Sequence, residues 1–170
     1  MDNVRTSRLA CIVVSLFPAL WGLFSLLNNV SDFSDTARQA VAPLLSMQDT
    51  YHVPGQMWRA LSASWAPLIG LGFITLMETL AGMLAATGIV MMLKNFRRNY
   101  ADFARAKAWA IAGACCAILV WGIGFMVVAG DWFMAWEAKT APLSTQLGAM
   151  MYTLPCMLAL GILMLHREEE

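Results

Sequence analysis

Four long apolar runs dominate this chain, at residues 9–27, 67–93, 108–130 and 147–165. About 20 helical residues cross about 30 Å of hydrocarbon. A chain inside lipid must satisfy its own backbone hydrogen bonds, which leaves helices or closed barrels. The runs lack the short alternating pattern of barrel strands. The sequence therefore predicts an all-α protein: a four-helix transmembrane bundle forming a single integral membrane domain over residues 1–170. Only 13% of residues are charged, about half the share in a soluble domain. The lipid bilayer is thus the expected first partner. A formal net charge of zero gives no field that would recruit nucleic acid.

The first run follows Arg5 and Arg8 and imitates a secretory signal. It is long, carries Phe17, Trp21 and Phe24, and continues into "SLLNNVSDF" without a small-x-small cleavage site. It reads as a retained anchor. Direction follows from the basic residues. Arg5, Arg8, Lys94, Arg97, Arg98, Arg105, Lys107 and Arg167 fall on one side of the four runs, against Arg38, Arg59 and Lys139 on the other. The positive-inside rule then places both termini and the middle connection in the cytoplasm. Trp65, Trp132 and Trp136 sit where outer-interface anchors belong, and Trp109 marks the inner start of the third run.

The outer connection before the second run reads as a partly helical extracytoplasmic cap over about residues 31–65. "DTARQAVAPLLSM" puts Ala37, Val41, Leu44 and Leu45 on one side at helical spacing, bent at Pro43. "QMWRALSASW" puts Met57, Trp58, Leu61 and Trp65 on one face of a second amphipathic helix.

Glu78 interrupts the second run, in "FITLMETLAG". An ionised carboxylate at a helix centre in a bilayer costs roughly 3 kcal/mol or more. At helical spacing it shares a face with Leu71, Thr75, Gly82, Ala85 and Ile89. Phe73, Leu76, Met77, Leu80, Met83 and Leu84 lie opposite. Small residues mark close helix contact in membranes, so Glu78 is expected to point into the bundle. The fourth run passes the same depth near Tyr152, Thr153 and Pro155, and the first offers Ser15 and Pro18. No Lys, Arg or His lies within the four runs. Without a counter-ion, Glu78 is expected as a neutral acid bonded to a hydroxyl or to a carbonyl freed by Pro155. The candidate intramembrane polar site is Glu78 with Thr75, Tyr152 and Thr153. It either fixes helix packing or carries a proton or cation.

Other chemistry is sparse. His52 and His166 are the only histidines and neither lies in a run, so a haem ligated within the bundle is not expected. Asp32, Asp35, Asp49, His52, Asp131 and Glu137 match no ligand-loop motif, and no metal is expected. No other cofactor is expected either. Cys11, Cys115, Cys116 and Cys156 all fall in apolar runs, where small packing residues are expected rather than disulfides. There is no G-x-S-x-G, H-E-x-x-H, P-loop or dinucleotide fingerprint, and the chain is not expected to be an enzyme.

Several phrases together carry a resemblance: "NNVSDF", "LLSMQDT" followed by "MWRAL", "ETLAG", "FARAKAWA" and "GDWFMAWEAKT". From about Leu9 to Leu165 the chain resembles a bacterial family of predicted small integral membrane proteins with four transmembrane helices, a domain of unknown function. The resemblance implies a bacterial inner (plasma) membrane setting and supplies no activity. The acidic tail "HREEE" stands outside it. "NNVSDF", "MWRA" and "GDWFMAW" fall at the outer ends of the runs, so Asn28, Arg59, Asp131, Trp132 and Glu137 are expected to meet as an outer polar cap. The expected role is an accessory, assembly or regulatory subunit of a membrane complex, with a membrane-protein partner or a homo-oligomer. The alternative is a small proton- or cation-coupled transporter or channel that uses Glu78.

Overall fold

A computed structural model of the protein describes residues 3–168. Its frame is four long helices: α1 (Asn3–Ser31), α2 (Ala66–Lys94), α3 (Tyr100–Ala117, continuing as Ile118–Trp132) and α4 (Ser144–Leu165). Each encloses one of the four apolar runs and is long and apolar enough to cross a membrane. No strand occurs among the described residues. α2 packs along α1 on one side and α3 on the other, and α4 closes against α3 and α1. The helices run alternately up and down. Residues 32–65 and 133–143 therefore gather at one end of the bundle, the cap end, and residues 95–99 and 166–168 at the other, the tail end.

Small residues let α2 meet both neighbours at backbone distance. A Cβ on Gly22 would lie 2.5 Å from the Glu78 carbonyl oxygen and 2.6 Å from the Gly82 nitrogen. One on Gly113 would lie 2.6 Å from the Ala85 nitrogen, and one on Gly88 would lie 2.5 Å from the Ala110 nitrogen. Lipid tails are as apolar as leucine, so close van der Waals contact rather than hydrophobic exclusion holds such helices together. The large side chains of α2 behave as its face pattern predicts: Phe73, Leu76, Leu80 and Met83 are exposed, whereas Leu71, Gly82 and Ala85 are buried. The cysteines divide. Cys11 and Cys156 are buried packing residues, but Cys115 is exposed on α3 because its neighbours Gly113 and Ala114 take the buried face.

Two local features depart from regular α geometry. The second half of α3, Ile118–Trp132, is wound as a π-helix, with Phe133 donating to Val128 five residues earlier at 3.1 Å. The cap helix runs Phe33–Thr36, Ala37–Val41 and Ala42–Leu45, its middle portion also π-wound. Ala37 and Val41 bury against Leu71 of α2. The second amphipathic helix expected over 57–65 reduces to one 3-10 turn, Met57–Arg59, and Trp58, Leu61 and Trp65 are exposed. An apolar face alone does not fix a helix when no bundle surface lies beneath it.

Candidate functional site

Glu78 is 2% exposed and points between helices. Its partner is neither a hydroxyl nor a freed carbonyl: the Asn29 side-chain amide donates to Glu78 Oε2 at 2.7 Å. Helical side chains lean toward their helix N-terminus, so Glu78 leans toward the cap end and meets the last turns of α1. Sequence reasoning selected the neighbouring Asn28 and passed over Asn29. The signal was present in Trp21, Ser25 and Asn29, spaced four apart along one stripe of α1.

That stripe lines a half-open cavity of about 630 Å³ in the cap half of the bundle. Asn28, Asn29 and Glu78 contribute its polar wall, the cap helix covers it through Ala40, Val41 and Leu44, and α4 adds Gly148 and Tyr152. Four aromatic rings form an aromatic wall of the same cavity. Trp21 stacks on Tyr152 and meets the edge of Trp121, with centroids 4.7 Å apart in both pairs. Trp121 lies 4.8 Å from Tyr152 and stacks on Phe125 at 4.4 Å. Trp121 and Phe125 belong to the π-wound part of α3, whose wider turns bring residues four and five apart side by side.

The structure does not bring Thr75 and Thr153 into this site. The Thr153 hydroxyl donates to the Ala149 carbonyl at 2.9 Å, and its methyl lies toward Gly122 of α3. The Thr75 hydroxyl is buried without a hydrogen-bond partner. Of the expected group, only Glu78 and Tyr152 face one cavity. Beneath them, toward the tail end, the Gly22–Gly82 crossing joins α1 and α2 backbone to backbone.

The expected polar cap is also divided. Arg59 sits over Trp132 at 5.5 Å and Trp58 at 5.7 Å, and approaches the Asp131 carbonyl at 3.5 Å. The two indoles meet edge to face at 5.5 Å. This is a cation–aromatic cluster rather than an ion-pair network. Asn28 lines the cavity instead, and Glu137 is buried with Oε2 unpartnered.

The tail end holds a dense set of polar contacts among the described residues, where the sequence indicates only a topological role. Arg8, 4% exposed, donates Nε and Nη2 to the two Glu168 oxygens at 2.7 Å each. Its Nη1 reaches the carbonyls of Asn95, Phe96 and Arg98. Lys107 donates to the His166 carbonyl at 2.7 Å, and the Tyr100 hydroxyl donates to it at 3.0 Å. The Arg8 guanidinium holds the Glu168 carboxyl below its usual range. Burial, and then the Lys107 charge, push His166 down from its own.

The chain belongs to the family of predicted small integral membrane proteins designated DUF2165, whose model matches residues 7–166. No curated protein and no solved structure matches it. It is a multi-pass integral membrane protein with four spans and a helical fold. Its exposed apolar side chains, such as Phe24, Phe73, Met83, Ile123 and Leu158, are those that meet the bilayer.

Proposed function

We propose that the protein is a non-enzymatic accessory or regulatory component of a bacterial inner membrane, and that its working site is the cavity at Glu78. The single observation that supports this is the cavity itself. It has about 630 Å³ of space, one buried carboxyl, two side-chain amides and an aromatic wall. Membrane helices close such space with side chains unless something else fills it. Small-molecule sites are typically apolar hollows with a few placed polar groups.

The closed helix contacts beneath the cavity favour binding over conduction through one copy. The Gly22–Gly82 and Gly113–Ala85 approaches leave no width for an ion between α1, α2 and α3. The transporter or channel reading would require those contacts to part. In this reading both termini and the middle connection are cytoplasmic, so the cavity lies in the outer half and is filled from that side. Arg97, Arg98 and Lys94 carry that orientation.

Occupancy provides the test. Gly148 lines the cavity, and a Cβ added there meets nothing within 4 Å. Gly148→Leu should fold normally and fill the space. Mass spectrometry of protein released from mild detergent should find a small molecule on the parent that Gly148→Leu lacks. Recovery of the same small-molecule set from both proteins would overturn the reading. A cysteine placed at residue 101 should resist impermeant reagents in intact cells; labelling from outside would reverse the orientation.

A further inference from the structure

Glu78 is the one acidic residue among those lining the cavity, and none of the lining residues is basic. Its carboxyl is nonetheless buried, with one donor on one of its two oxygens. A carboxylate offers about four acceptor sites, so the Asn29 amide leaves most of them unused. The same cavity is lined by the rings of Trp21, Trp121, Tyr152 and Phe125, linked by centroid contacts of 4.4–4.8 Å. Aromatic faces attract cations, tryptophan most strongly, and more so away from water. The remaining wall is aliphatic, from residues such as Leu44, Leu71 and Ile74. Carboxyl, aromatic faces and aliphatic wall together describe the complement of one ligand type.

We infer that the cavity binds a lipophilic cation: an ammonium or quaternary ammonium head against Glu78 and the aromatic wall, with an apolar body under the cap helix. The ligand supplies the counter-ion that the bundle lacks. A neutral ligand could at most donate a hydrogen bond and would leave the carboxylate's charge uncompensated, and an anionic one would set like charge beside it. The inference rests on the cavity being a binding site and adds the chemical class of what enters it.

The test measures equilibrium binding of radiolabelled hexyltrimethylammonium to the full chain in nanodiscs of zwitterionic lipid. Hexylamine, hexanol and hexanoate serve as competitors. Binding should be saturable and displaced by hexylamine but not by hexanol or hexanoate. Glu78→Gln should weaken it at least tenfold, and Trp121→Leu several-fold. Thermal unfolding of both variants within a few degrees of the parent shows that the bundle is intact. Gly148→Leu should abolish binding. Hexanol displacing the probe as well as hexylamine does, with Glu78→Gln unchanged, would overturn the cation assignment while leaving the cavity a binding site. No saturable binding of the probe would overturn the cation assignment by itself. If the parent also carries no small molecule that Gly148→Leu lacks, the cavity reading falls with it.

Discussion

The two ends of the bundle solve the problem of buried polarity in opposite ways. At the tail end Arg8 spends Nε, Nη1 and Nη2 on named acceptors: a carboxylate and three backbone carbonyls. In the cap half, buried polar atoms stand without partners: Thr75 Oγ1, Trp121 Nε1, Gln146 Oε1, Gln56 Oε1, Arg59 Nε and Glu137 Oε2. All the buried unpartnered side-chain atoms among the described residues belong to that half. So do the left-handed backbones at non-glycine residues, Met47, His52, Met134 and Leu143. Unsatisfied polar groups and left-handed non-glycine backbone both cost free energy, and both persist where the surroundings hold them for a use. One end fastens the helices, and the other holds open a space.

The contrast breaks most easily at Arg8. Arg8→Met takes from Glu168 its bidentate partner, leaving it only the more distant Lys107 charge and the His166 ring, and strips the donor from three carbonyls. Removing one partner of a buried ion pair costs about 3–5 kcal/mol, and thermal unfolding in nanodiscs should show the largest drop of any single change. Arg97→Met, at an exposed position in the connection that Arg8 bonds, is the control. Equal losses would mean that the tail end is not a fastening. Next comes the helix seam. Gly113→Val meets the Ala85 backbone and should cost at least about 1–3 kcal/mol, as overpacked cores do, whereas Gly148→Leu should stay within about 0.5 kcal/mol. Denaturant titration of the pair sharpens the division between a closed seam and an open cavity.

Acid should loosen the tail end selectively. His166 and Glu168 both titrate below their ordinary values in the folded chain. The unfolded state therefore takes up protons first as pH falls, and stability present at neutral pH is lost. His166 contributes its loss below about pH 6.5 and Glu168 below about pH 4.3, downward through their folded values. Amide exchange at residues 95–103 should accelerate over that range, while exchange in the cap helix, which carries no comparable pair, should change least. The smallest effects belong to the cap half. Thr75→Val removes a buried polar atom that has no partner at nearly constant volume, so it should be neutral or stabilising by up to about 1 kcal/mol. A loss above 1 kcal/mol in unfolding would show that the atom has a partner after all.

Much of the frame could be read locally. Run length gives the four helices, and the small and bulky faces of α2 give the burial of Glu78. Contacts between distant residues could not be read that way. Asn29 and Glu78 are 49 positions apart, and α1 offers two adjacent asparagines. Nothing in "ILVWGIGFMVVAGDW" announces a π-helix, because its apolar residues suit either winding. The apolar pattern of Met57, Trp58, Leu61 and Trp65 predicts a second cap helix, where the chain forms one 3-10 turn. An amphipathic pattern states what a helix would present but not whether a surface waits to receive it. The sequence groups Arg59 with Asn28, Asp131, Trp132 and Glu137 in one polar cap, whereas Arg59 sits over the rings of Trp58 and Trp132 and Asn28 turns to the cavity.

The Arg8–Glu168 contact also sets an order in time. Its partners are 160 positions apart, so the arginine near the start of the first helix emerges from the ribosome long before its carboxylate. Until the fourth helix has inserted, the guanidinium lacks its carboxylate, and headgroups, water and the carbonyls of Asn95, Phe96 and Arg98 serve it. The bond then forms as the last helix arrives, and it converts a set of separately inserted helices into a ring joined first to last. A chain halted before residue 168 would carry an arginine held by the carbonyls of the middle connection but without its carboxylate, a visible mark of unfinished assembly.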